Sequence, residues 1–246
     1  MNEVLAWLTD PANWQGPDGI PVRTWQHLMY SLVSVGIAAA IAIPVGLWIG
    51  HTGHGRFLAV NLAGALRAVP SLGLLFTAFM VLGPYLNGEA SVFVPTIIVL
   101  VVLAVPPVLA GAYAGVEQVE TAARDAARGM GMRGTEVLWR VEVPCALPLI
   151  FSGIRSAALQ VIATATLAAT VGLGGLGRYL IDGLAVRDYA QMAGGAILVA
   201  LLALIVDFVA ATLQRVVVSP GLTGKTAGRK NALRRIQRTT LRASGS

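Results

Sequence analysis

Long apolar runs separated by short polar breaks dominate the chain, and none of the runs alternates residue by residue. Five stand out, over residues 28–49, 58–82, 92–114, 147–171 and 190–218. A helix needs about 20 mainly apolar residues to cross the hydrocarbon core of a bilayer. In lipid every backbone N–H and C=O must be paired within the segment, which a helix achieves. A membrane barrel would instead show strands of about ten residues alternating apolar and polar positions. The pattern therefore predicts an all-α integral membrane protein of about five transmembrane helices. It divides the chain into an extracytoplasmic or interfacial segment 1–27, a membrane domain 28–218 with a polar loop 115–146, and a tail 219–246.

Composition agrees. Of the 246 residues 56% are apolar and 12% charged, where soluble domains carry about a quarter charged residues. The basic residues set the orientation. With the N-terminus outside, the outer segments 1–27, 83–91 and 172–189 hold only Arg23, Arg178 and Arg187. The other Lys and Arg fall in inner loops, at inner span ends or in the tail, as the positive-inside rule requires. The C-terminus is then cytoplasmic. Lys225, Arg229, Lys230, Arg234, Arg235, Arg238 and Arg242 account for most of the net charge of +6. Without stacking aromatics or a folded motif they do not read as a nucleic-acid site. A disordered tail held near anionic lipid is expected. The single cysteine, Cys145, rules out an internal disulfide and is expected as a small core residue. Residues 1–25 lack the basic start and short apolar core of a cleavable signal peptide.

Individual residues refine the spans. Trp7, Trp14 and Trp25 suit a membrane interface, and residues 1–8 can form a short interfacial helix. Pro44 should bend the first span near its inner end. His51 and His54 lie in a short inner loop that reads as solvated, with no further metal ligand nearby. The second span is interrupted around Pro70: either it kinks there, or residues 58–66 form a separate shallow helix. Pro95, Pro106 and Pro107 interrupt the third span. The fourth is the most polar. Ser156, Gln160 and Thr164 share a helical face and serve either as glue between helices or as lining of a pathway. Asp207 in the fifth span needs a partner inside the membrane. Arg155 lies at matching depth, so an ion pair between the last two spans is expected. Residues 172–177, four of them glycine, should make a tight outer turn.

The stretch 125–144 reads DAARGMGMRGTEVLWRVEVP. Residues 120–128 are alanine-rich and should be helical. Gly129, Gly131 and Gly134 break that helix. Thr135 is a suitable N-cap for a second helix over 136–142, which Pro144 and Pro148 separate from the fourth span. The loop is thus a helix, a glycine hinge and a helix at the inner surface. A short rigid helix there can transmit force from a separate motor: Ala126 and Ala127 allow close approach, Asp125 can pair with a base, and Gly131 allows a sharp turn.

This spacing, completed by Val141, Val143 and Pro144, resembles the cytoplasmic coupling loop of bacterial ABC-importer permeases, with Asp125 in place of the usual glutamate. Residues 25–218 resemble a type I importer permease with a methionine-permease-like five-helix core. The stretches RAVPSLGLL (67–75), DAARGMGM (125–132), ATATLAA (163–169) and GLGGLG (172–177) resemble the osmoprotectant permeases for glycine betaine, choline, carnitine or proline betaine. The resemblance implies a non-catalytic subunit in the bacterial inner membrane, assembled with ABC ATPase subunits, a second permease copy or paralogue, and an extracytoplasmic substrate-binding protein. It places ATP and magnesium on the ATPase, and this chain has no Walker A pattern. An amino-acid or methionine importer is the alternative within transport. An ATP-independent channel or scaffold would leave the loop without a purpose. A membrane-embedded enzyme would need a catalytic constellation that the spans lack.

Overall fold

The computed structural model describes residues 2–218, apart from the side chains of Leu58, Leu62 and Arg67. The tail 219–246 lies outside the described residues. Among the described residues ten α-helices succeed one another: α1 (Asn2–Thr9), α2 (Ile20–Thr52), α3 (Arg56–Ala68), α4 (Ser71–Leu82), α5 (Ala90–Glu117), α6 (Thr121–Gly129), α7 (Gly134–Val137), α8 (Val143–Ala165), α9 (Gly177–Val186) and α10 (Tyr189–Val217). Among the described residues four helical stretches are long and apolar enough to cross a membrane, or five if α3 and α4 count as one broken span. The halves of that pair, Ala59–Leu66 and Ser71–Tyr85, meet at 90°. A bend so sharp favours the separate short helix over a kinked span. Val69 is extended ahead of Pro70, as a residue preceding proline prefers.

The centre of the bundle is α2, α5 and α8. Ala38 and Ala42, Ala104 and Val108, and Ala157 and Val161 pack together with almost no exposure. Two GxxxG pairs bring the backbones this close. A Cβ on Gly50 would lie 2.6 Å from Val116 Cβ, and one on Gly111 would lie 2.6 Å from the Leu149 carbonyl oxygen. Gly46 and Gly50 seat α2 on α5, while Gly111 and Gly115 seat α5 on α8. In lipid, where apolar surface gains nothing by leaving the solvent, such close approach is a main source of association.

Pro95, Pro106 and Pro107 sit inside a continuous α5, and all three are buried. Pro107 has no amide hydrogen, so the carbonyl four residues back, on Leu103, loses its helical donor. Gln160 supplies the replacement, its Nε2 donating to Leu103 O at 3.1 Å. Pro44 likewise lies inside a continuous α2.

Several sequence expectations need correction. α2 starts at Ile20, inside the segment assigned to the outer surface, with Pro21 tolerated in its first turn. α1 packs on α10: a Cβ on Gly194 would lie 2.3 Å from Trp7 Cε3, and the Trp7 and Tyr179 rings meet edge to face at 5.1 Å. Residues 172–175 do turn, with Gly172 and Gly175 at positive φ. An unforeseen helix, α9, comes next, because the short segment 177–186 has no long apolar run to announce it. Cys145 is exposed rather than a core residue.

Candidate functional site

Alanines at 122, 123, 126 and 127 favour α6 by their low side-chain entropy cost. Its C-terminus closes in a Schellman arrangement. Met132 N–H donates to Ala127 O at 3.2 Å and Gly131 N–H to Arg128 O at 2.9 Å, with Gly131 at φ +85°. Ala127 turns inward at 1% exposure. Asp125, Ala126 and Arg128 face outward. Among the described residues the Asp125 carboxylate pairs with the open Arg128 guanidinium at 4.0 Å. α6 therefore presents a small, mixed-charge outer face and is anchored by its inner one.

The anchor is Glu142, 1% exposed. Arg124 of α6 places Nε 2.8 Å from its Oε1. His51, in the last turn of α2, places Nδ1 2.6 Å from Oε2. Since a carboxylate accepts, the proton of that bond sits on His51 Nδ1. Arg124 Nη2 also donates at 2.5 Å to Val116 O, at the end of α5, which accepts from Val119 N–H as well. A buried carboxylate is tolerated only when paired and hydrogen-bonded. Here Glu142 joins α2 to α6, and Arg124 ties α6 to the end of α5. At the rim of this cluster Arg56 pairs with Glu117 at 2.6 Å and lies over the Tyr113 ring, 5.8 Å from its centroid.

Glu142 closes a five-residue π-turn, Leu138–Glu142, in which Val143 N–H donates to Leu138 O. This wide turn directly precedes Pro144, whose missing amide would otherwise interrupt an α-helical ladder. The result differs from the expected second loop helix. There is no separation at Pro144: one helical rod of 38 residues runs through Gly134–Val171. Thr135 is not its N-cap. The helix begins at Gly134, and the Arg133 N–H donates to Glu136 Oε2 at 2.9 Å. Val141 and Pro144 are half-buried within this rod. His51, expected in a solvated loop, belongs instead to α2 and to the Glu142 cluster.

In the bundle Arg155 and Asp207 meet as a bidentate pair: Nε donates to Oδ1, and Nη2 to Oδ2 at 2.6 Å. Of the three polar residues on α8, Gln160 is committed to Leu103. Thr164 bonds back to Gln160 O at 2.7 Å within its own helix. Ser156 is exposed, as is Ser152 one turn before it. Gln160 and Thr164 thus satisfy carbonyls inside the bundle, while Ser156 remains exposed. Sequence reasoning missed Glu142, Arg124 and His51 as a set. The available signal was a lone acid, Glu142, between two valines. It also missed the literal GxxxG spacings at 46/50 and 111/115.

Residues 42–219 match the family model described as the binding-protein-dependent transport system inner membrane component. The carnitine transport permease protein OpuCB of Listeria monocytogenes is 37% identical over 193 residues, 78% of this chain and 85% of that protein. The glycine betaine/carnitine/choline transport system permease protein OpuCB of Bacillus subtilis is 34% identical over 202 residues, 82% of this chain and 90% of that protein. Among solved structures, an inward-facing form of the MetNI methionine ABC transporter superposes with a TM-score of 0.72 at 21% identity, covering 86% of this chain and 100% of that one. At that identity the likeness shows a shared fold. The chain belongs to the binding-protein-dependent inner-membrane transport components, within the osmoprotectant permeases of type I ABC importers, as a multi-pass protein of the bacterial plasma membrane.

Proposed function

We propose that this chain is the permease subunit of an ATP-driven importer of compatible solutes such as glycine betaine, carnitine or choline. Two copies, or one with a paralogue, enclose the path, and the N-terminus lies outside. ABC ATPase subunits bind ATP and magnesium and receive the outer face of α6, with Asp125, Ala126 and Arg128 at the contact. An extracytoplasmic binding protein delivers solute at the opposite end. The observation that carries the reading is the rigid connection of α6. Glu142 ties it to α2, Arg124 ties it to α5, and the chain from Gly134 runs unbroken into α8. A displacement of α6 therefore moves α8, where Ser152 and Ser156 remain exposed for a path or a second subunit. Ligand and nucleotide act through their different affinities for the inward and outward states.

The test is purification of the native complex and an ATPase assay in liposomes, with and without binding protein loaded with glycine betaine. An ATPase should co-purify and be stimulated by the loaded protein, and a bulky residue at Gly131 should uncouple hydrolysis from uptake. A chain that purifies without an ATPase would overturn the reading in favour of a channel or scaffold.

A further inference from the structure

At the end of α2 away from His51 a cavity of about 720 Å³ opens between α2, the start of α5 and the glycine turn. Its volume is that of a small-molecule site. Arg23, Gln26 and Tyr30 line it from one face of α2, and Glu89 and Phe93 from the start of α5. The Tyr30 and Phe93 rings meet edge to face with centroids 5.8 Å apart. Glu89 is exposed and makes no ion pair among the described residues. The opposing wall is preorganised. Gly175 N–H donates to Gln26 Oε1 at 2.9 Å, and Arg23 Nη1 donates to the same oxygen at 3.2 Å. Arg23 also pairs with Asp18, whose backbone carbonyl accepts from the Tyr179 hydroxyl at 2.7 Å. A Cβ on Gly174 would lie 2.3 Å from Gln26 Oε1 and 3.0 Å from Arg23 Nη1. The bare backbone there leaves this polar wall uncovered.

We propose that this cavity is a solute subsite on the permease itself, for a small quaternary-ammonium zwitterion. Ring faces and a carboxylate attract a quaternary cation that has no N–H to donate. A guanidinium keeps donors beyond those given to Asp18 and Gln26, and these suit the ligand's carboxylate. A plain anion would meet Glu89. A neutral solute would use neither pole. The inference rests on the importer reading for its place in transport, but the chemistry of the walls stands by itself.

The experiment uses the assembled permease–ATPase complex in lipid nanodiscs, without binding protein, and radiolabelled glycine betaine, choline and glycerol. The wild type should bind the two quaternary amines and not glycerol. Glu89→Gln and Phe93→Leu should each weaken both amines roughly tenfold. Arg23→Gln should weaken glycine betaine alone, because choline has no carboxylate. Absence of binding by the wild type, or unchanged binding in Glu89→Gln and Phe93→Leu, would overturn the subsite. Uptake by the complete system in liposomes separates the two readings. Quaternary-amine uptake without nanodisc binding removes the subsite and keeps the importer. A complete system that takes up no quaternary amine removes the importer reading, and nanodisc binding then still decides the cavity. Variants that shift only the concentration of binding protein needed for ATPase stimulation would make this a protein-docking face and overturn the proposal.

Discussion

The two ends of α2 solve the same problem in opposite ways. Each holds a histidine ring against another helix, about 36 Å apart along the axis at 1.5 Å per residue. At the end nearest α6 His51 meets a buried carboxylate that is also paired to Arg124. At the far end His27, fully buried, donates from Nε2 to the Ile162 carbonyl at 3.0 Å and leaves Nδ1 without a partner among the described residues. One end is held by charges that need one another, the other by a single bond from a neutral ring to backbone. Loss of a charge from a buried cluster strands its partners, whereas loss of a neutral bond strands one carbonyl. The Glu142 end should therefore behave as one mechanical unit and the far end as a set of separable contacts.

The largest expected effect is that of Glu142→Ala, which leaves Arg124 and His51 facing each other. A loss of about 3–5 kcal/mol is expected, read as a lower thermal midpoint of the detergent-solubilised complex. His27→Leu should cost about 1–3 kcal/mol, the penalty of an unsatisfied buried carbonyl. Equal losses would break the comparison.

Next in size is Gly131→Ala. A Cβ there meets nothing within 4 Å, yet φ is +85°. The penalty is one of backbone, about 1–2 kcal/mol, and Gly131→Asn should cost less, since asparagine tolerates this conformation. ATP hydrolysis that persists while uptake falls would place the effect in coupling. An equal penalty for both substitutions would mean that sterics, not φ, matter.

Gln160→Leu tests the bundle between the two ends. It removes the donor to the Leu103 carbonyl freed by Pro107, at a cost of about 1 kcal/mol. If Gln160 instead lines the path, uptake should fall with the thermal midpoint unchanged.

The smallest effect concerns the far end. Burial pushes the Tyr179 phenol up to about 12. The fold thus favours the protonated ring that donates to Asp18 O. Its contribution is fully present below the ordinary tyrosine value of about 10 and is lost as pH rises through about 12. Ultraviolet titration should lose one late-titrating tyrosine in Tyr179→Phe.

Much of this was legible along the chain, though unevenly. The apolar runs announced α2, α5, α8 and α10 because bilayer thickness sets a minimum length that composition reveals. The alanines and Gly131 announced α6 and its turn, since both depend on local backbone preference. α9 escaped notice because a ten-residue helix held by neighbours need not be apolar. The separation expected at Pro144 failed because a π-turn, stabilised by the partners of Glu142, carries the helix through. The partner of Gln160 depended on which carbonyl Pro107 would leave open, and on which helix lay opposite.

By itself, then, the sequence determined the features that depend on length and local preference: helical spans, their number to within the broken pair, and the alanine-rich helix α6 with its glycine turn. Only the tertiary structure decided which charges share Glu142, which side chain repairs the proline break, and which aromatic and charged groups face one another across the far cavity. These depend on residues distant in the chain, such as His51 with Glu142 and Tyr30 with Phe93. Helical periodicity says which face a residue occupies, but not which helix that face will meet.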